Sequence, residues 1–472
     1  LNEKTKSLLK NLNYTVTANF LVLGITVILN LFVPKYLGIK EYSNWQLYVF
    51  YTGYVGFFHF GWLDGIYLKI GGEQYDDLDK KTLGTQFWYL FFFQLSLSVI
   101  LIIYTKILSI GGNREIILFS TAITLLITNC KTYILYIFQS TNRIKEYAQL
   151  SINDRYIYIL GVFIYLFSGG RNFAILIILD ILSKLVITLW GMVRISDIIF
   201  IKFANFKYTL KEILSNIKVG INLMLGNIAS MLVTGITRMF VEQHWSIEVF
   251  GKLSFTLSLS NMFMTFINAI GVVMFPMLRR TNKDNLKILY INLRNIFVPT
   301  TYAILLFYVP MRYVLNIWLP SYNQSMIFMG ILFPMVIFEG RMALLISTYL
   351  KTLRQEKVIL VVNIATLILS VITSYFSVFI LNNIYITVMG IIICIAFRCI
   401  LAEIFLCRKI GVELKCDIFL EIFLTISFIG ANFLENPIIS FCLYFIIYVI
   451  FVLVRLKAIK RSFMQIRSFI KN

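Results

Sequence analysis

The sequence predicts an all-α, polytopic membrane protein with about 14 transmembrane helices, built as two six-helix lobes plus two appended helices. Three observations carry this reading. Hydrophobic residues fill 59% of the 472 positions and charged residues only 14%, against about 25% charged in an average soluble domain. Charge-free apolar runs such as Val358–Leu381 and Ile438–Val454 have the length of helical spans and lack the alternation of a transmembrane β-barrel. Lys and Arg also gather in alternate loops, as cytoplasmic segments require.

The elements follow in order. Lys4, Lys6 and Lys10 precede the first apolar stretch, Asn13–Val33. It is too long for the apolar core of a cleaved signal and reads as a retained helix. Spans at Tyr42–Ile66, Gln86–Thr105, Glu115–Gln139, Tyr156–Gly169 and Phe173–Val193 complete an N-terminal lobe over residues 1–200. Residues 201–218, with Lys202, Lys207 and Lys211, read as an amphipathic cytoplasmic linker or a plain solvated basic loop. The second lobe, residues 219–410, holds Val219–Phe240, Leu253–Leu278, Ile296–Pro310, Gln324–Leu350, Val358–Leu381 and Tyr385–Leu406. Residues 411–472 add Ile418–Phe433, Ile438–Val454 and a basic tail. The fifth and ninth spans are short for a bilayer.

Loop charge sets the orientation. With the N-terminus in the cytoplasm, 31 of the 43 Lys and Arg fall inside, seven outside and five within spans. Both termini are then cytoplasmic, in the cell inner membrane. The net charge of +20 reads as topology and gives no reason to invoke nucleic acid. A shift of 208 positions pairs Lys10 with Lys218, Asn19 with Asn227, Ile39 with Ile247 and Tyr42 with Phe250. That is the mark of a parallel internal repeat.

A family resemblance rests on two segments. The first runs Tyr36-Leu37-Gly38-Ile39-Lys40-Glu41-Tyr42-Ser43-Asn44-Trp45 and precedes an aromatic helix ending Gly61-Trp62-Leu63-Asp64-Gly65. The second, Asn222–Arg280, carries Gly226-Asn227, Arg238, Phe250-Gly251 and Phe275-Pro276. Both resemble Wzx-type polysaccharide flippases, the O-antigen and capsule repeat-unit exporters of the multidrug, oligosaccharidyl-lipid and polysaccharide exporter superfamily. The resemblance implies two lobes that alternate between inward-open and outward-open states. It also implies undecaprenyl-diphosphate-linked oligosaccharide as substrate, with a polysaccharide polymerase and glycosyltransferases as partners beside the membrane lipids.

Charges inside the spans are the candidate site. Each costs roughly 2.5–3.5 kcal/mol near the bilayer centre unless it is compensated. Lys131, Arg341 and Arg398 are the first candidates for a cationic lumen that holds a diphosphate, with Arg238 and Lys184 behind them. Packing ion pairs across helices are the alternative. Asp180, a coupling candidate, and Lys184 stand four apart and can pair on one face, which favours a structural role for Asp180. Glu339 has no cation on its own helix face and is the expected coupling carboxylate. Asp64, beside two glycines, and His59 are further gating or coupling candidates, with a helix-end aspartate and a packing histidine as the plainer readings.

Other classes fare worse. The six cysteines form no Cys-x-x-Cys pair, so no metal site is expected, and two histidines leave little for His-dependent catalysis. No Gly-rich phosphate loop is found, and no cofactor or enzymatic activity is expected. A multidrug or cation antiporter of the same superfamily is the nearest alternative. A membrane polymerase or glycosyltransferase acting on lipid-linked sugar is the alternative from another class.

Overall fold

The computed structural model describes residues 24–280, 283–413, 415–434 and 436–471, with side chains except at 265–266, 268–285, 415–416 and 466–471. Helices overlie the described part of each of the fourteen apolar stretches. In the first part of the chain they are α1 (Gly24–Leu37), α2 (Ile39–Thr52), α3 (Trp62–Lys69), α4 (Lys80–Ile107), α5 (Asn113–Ser140), α6 (Ile144–Phe167), α7 (Phe173–Arg194) and the short α8 (Ser196–Ile199). They continue with α9 (Phe206–His244), α10 (Ile247–Arg280), α11 (Lys283–Ile304), α12 (Tyr308–Trp318), α13 (Asn323–Leu332), α14 (Met335–Arg341) and α15 (Ser347–Thr352). The last four are α16 (Glu356–Tyr375), α17 (Ile384–Ile410), α18 (Lys415–Ala431) and α19 (Pro437–Lys471). The start of the first expected span, with Lys10 and Asn19, lies outside the described residues.

Among the described residues nine helices are long and apolar enough to cross a membrane. A tenth span results if the pair bent by 46° around Phe333–Pro334 is taken as one. On some helices the buried face is the polar one and the apolar face is exposed. On α16 the buried residues include Asn363, Thr366, Ser370 and Ser374, while Val361, Ile364, Ile368 and Ile372 are exposed. Along α19 the exposed series Ile439, Leu443, Ile446, Ile450 and Leu453 repeats every three or four residues. Small and polar side chains let helices approach and hydrogen-bond, and apolar ones meet acyl chains. This is a multi-pass membrane protein.

The chain divides into two compact units, Leu1–Ile228 and Ala229–Asn472. The boundary falls inside α9, which differs from a linker at 201–218. Phe206–Lys218 forms the first turns of a 39-residue helix, because no proline interrupts it before His244. The internal repeat gains structural content. A shift of 208 carries Ile39, the first residue of α2, onto Ile247, the first of α10. The same shift carries Phe167, the last residue of α6, onto Tyr375, the last of α16.

The second expected span is broken rather than continuous. After α2 the chain makes a 3-10 turn over Val55–His59, then Phe60 (φ 51°) and Gly61 (φ 82°) take left-handed conformations before α3 begins. Gly61 suits that geometry because it has no Cβ. It also permits backbone contact. A Cβ on Gly65 would lie 1.9 Å from the Asn216 carbonyl oxygen, and one on Gly220 would lie 2.0 Å from the Gly61 oxygen. Gln86 seals the junction, accepting from Trp62 Nε1 at 2.9 Å and Asn216 Nδ2 at 3.0 Å.

Candidate functional site

Within the first unit, α5, α6 and α7 bring two lysine–carboxylate pairs together. Lys131 Nζ lies 2.6 Å from Asp154 Oδ2, and Lys184 bonds Asp180 one turn earlier on α7. Ser183 links them, donating to Asp154 Oδ1 at 3.2 Å and to the Asp180 carbonyl at 2.9 Å. Tyr48 from α2 donates to Asp180 Oδ2 at 2.7 Å and meets Thr124 Oγ1 at 2.8 Å. The lysine side chains keep 15% and 13% exposure, so both remain reachable. The expected Asp180–Lys184 pair forms. Lys131 gains a partner from α6, whose first turns lie ahead of the apolar stretch that begins at Tyr156.

In the second unit Arg398 on α17 bonds Glu339 on α14 and donates from Nη1 to Ser230 Oγ on α9 at 2.8 Å. Glu339 therefore has a cation from a neighbouring helix, which corrects the view of it as a carboxylate without a counter-charge. Arg238 donates to Ser254 Oγ at 2.9 Å and lies 5.3 Å from the Phe250 ring centroid.

A second set of charges, largely buried, lies among α11, α14, α17, α18 and α19. Arg294 on α11 donates from Nε to Glu403 at 2.8 Å, from Nη1 to Asp417 at 3.2 Å and from Nη2 to Glu421 at 2.6 Å. Arg341 bonds Glu421, sits 3.4 Å from Glu403, and donates from Nε to Cys399 Sγ at 3.1 Å. Arg455 on α19 bonds Asp417. Three arginines thus meet three carboxylates, with Tyr290 donating to Glu403 at 2.8 Å. Arg341 is 0% exposed. It is enclosed by this network rather than open to a lumen, because Glu403 and Glu421 hold it between α17 and α18. The network ties the two appended helices, α18 and α19, into the second unit.

The broken second span forms a third cluster. Gly61 N–H donates to His59 Nδ1 at 3.1 Å, which assigns the imidazole proton to Nε2, 3.7 Å from Asp64 Oδ2. Tyr136 OH stands 3.5 Å from Asp64 Oδ1. Asp154, Asp180, Glu403 and Glu421 are all buried against Lys or Arg. Asp64 is the buried carboxylate that lacks one among the described residues. It can take up a proton without breaking a salt bridge.

Within each unit, helices bury paired charges among apolar residues, and such charges are kept in membrane proteins for function. Comparison with solved structures gives the fold a more particular likeness. The chain is similar to the lipid II flippase MurJ in an inward closed conformation, with TM-score 0.64 and 13% identity over 94% of this chain and 98% of that one. It is also similar to an inward-facing multidrug resistance MATE family transporter of the MOP superfamily, with TM-score 0.61 and 14% identity over 84% and 94%. A MATE protein in the straight conformation gives TM-score 0.53 and 14% identity over 86% and 96%. The fold is therefore the one these MOP-superfamily transporters share. No protein-family model and no curated protein sequence matches the chain.

Proposed function

We propose that this protein is a flippase that carries undecaprenyl-diphosphate-linked oligosaccharide across the cytoplasmic membrane by alternating access. The observation that carries the proposal is the pair of reachable lysines in the first unit. Among the described residues Lys131 and Lys184 are held by Asp154 and Asp180 alone, and an incoming diphosphate competes for both. The Arg398–Glu339 pair offers the same exchange, with a planar fork suited to phosphate oxygens. The likeness to a lipid II flippase over 94% of this chain supports a lipid-linked substrate. Polymerase and glycosyltransferase partners follow from the same reading. Asp64, with His59, replaces Glu339 as the proposed coupling carboxylate, since its charge can change without loss of an ion pair.

The test is transport in proteoliposomes containing a lipid-linked oligosaccharide, followed by a sugar-modifying reagent confined outside. Protection of about half the sugar without protein, and its loss with protein, is the expected result. Unchanged protection at all protein levels would reject the proposal. A multidrug or cation antiporter is the second reading, favoured by the MATE likeness. It predicts gradient-driven uptake of an organic cation by the same vesicles.

A further inference from the structure

We propose that the groove between the α15–α16 turn and the last turn of α17 binds the phosphate headgroup of an anionic membrane phospholipid. A cavity of about 260 Å³ there is lined by Leu350, Gln355, Val358, Phe405, Arg408 and Lys409. All six residues belong to the second unit. The floor is apolar, and the rim carries two cations and an amide.

Among the described residues neither Arg408 nor Lys409 forms an ion pair, and the Gln355 side chain has no hydrogen-bond partner. The turn adds Lys351, Arg354 and Lys357 against Glu356 alone. Arg354 takes a left-handed φ of 54°, while Gln355 N–H closes the turn on the Leu350 carbonyl at 2.7 Å. Cations in the last turn of α17 are favourable for the helix dipole wherever they point. The dipole does not explain why both line one cavity with the Gln355 amide. An anion does.

The shape selects the kind of anion. From Val358, α16 continues with Val361, Ile364, Ile368 and Ile372, which are 58%, 44%, 56% and 60% exposed. Their spacing of three or four residues makes one apolar track leading away from the rim. A free phosphate would use only the rim. A phospholipid uses both, with its headgroup on Arg408, Lys409 and Gln355 and an acyl chain along α16. The loop-charge bias puts the rim on the cation-rich side predicted from the sequence, where such basic pockets between helices meet anionic lipid.

The experiment is native mass spectrometry of the purified full chain in detergent. The probes are phosphatidylglycerol and phosphatidylethanolamine in equal amounts. Wild-type protein should retain phosphatidylglycerol over phosphatidylethanolamine by about fivefold or more, and R408Q/K409Q should lose about that factor. R408K/K409R should keep it, and so should K457Q/K460Q, which removes two charges elsewhere in the basic tail. If the double variant does not fold, R408Q and K409Q singly carry the same comparison. Equal retention of the two lipids, or retention unchanged in R408Q/K409Q, would overturn the proposal. So would an equal loss in K457Q/K460Q, since that is attraction by tail charge in general. Displacement by inorganic phosphate would reduce the site to an ion site. Preferential exchange for undecaprenyl phosphate would give it to the carrier lipid, and either result overturns the phospholipid assignment.

Discussion

Arg341 and Arg398 carry the same guanidinium into different surroundings, so their truncations should read out differently. Removing Arg341 leaves Glu403 and Glu421 in an interior where both are at most 1% exposed. Breaking a buried pair in this way costs about 3–5 kcal/mol. Arg341→Ala is expected to aggregate at clearly lower temperature in a detergent thermal-stability assay. Arg398 faces a carboxylate whose side chain keeps 20% exposure, so water can replace it. Arg398→Ala should fold with little change in melting temperature yet lose export, and Arg398→Lys should keep part of it. Export at the wild-type rate by Arg398→Ala would remove this residue from the substrate path. Asp64→Asn should abolish the response of transport to an imposed proton gradient while leaving gradient-free exchange measurable. An undiminished response would exclude Asp64 from coupling. Lys131, Lys184, Arg341 and Arg398 were legible in the sequence because each interrupts an apolar run. Asp154 and Arg294 were not. Hydropathy ended their spans at Tyr156 and Ile296, whereas the helices begin at Ile144 and Lys283. The signal was the shortness of those two spans, since extending each to bilayer length draws the charge inside. Their partners stand 23 and up to 127 residues away, beyond any local pattern.

At the scale of elements, α3 and α9 touch backbone to backbone. Gly65→Ala must displace the Asn216 peptide, and overpacking of this kind costs about 1–3 kcal/mol. A Cβ on Gly226, also in α9, meets nothing within 4 Å. Gly226→Ala should therefore be neutral or stabilising by up to about 1 kcal/mol, and the two variants compared by thermal unfolding test the contact. Equal melting temperatures would contradict it. The sequence showed these glycines but not their partner, because Gly61 and Gly65 find α9 about 150 residues on only through tertiary packing. The entry to α4 offers a pH test. Burial alone would raise Asp197, but bonds from Lys80 at 2.8 Å and Tyr75 at 2.7 Å bring it below the usual aspartate value of 3.8. Its stabilisation is present above about pH 4 and is lost as pH falls through the lowered value. The side chain is 46% exposed, so screening limits the effect to about 1 kcal/mol or less. Asp197→Asn should lower stability slightly at pH 7, and the difference from wild type should shrink as pH falls below about 4.

For the whole molecule, the charge bias predicts both ends on one side. Reporter fusions at the two termini and in the turn at Leu381–Asn383 should report inside, inside and outside. An external C-terminus would break the fourteen-span topology. The all-helical class and two-part repeat were legible because hydropathy and loop charge are local sums. The unit boundary was not, since α9 runs through it without a break in composition. The neutral cluster of three arginines and three carboxylates also sets a condition on biosynthesis. Arg294 reaches the bilayer long before its partner Glu421, which follows 127 residues later. At ordinary elongation rates of about 5–20 residues per second the wait is on the order of ten seconds. During that interval α11 carries an unneutralised guanidinium, and lateral release into lipid is costly. The ion pairs of Arg294 with Glu403 and Glu421 can close only once α17 and α18 have been made, which makes the last helices a checkpoint for assembly of the helices that precede them.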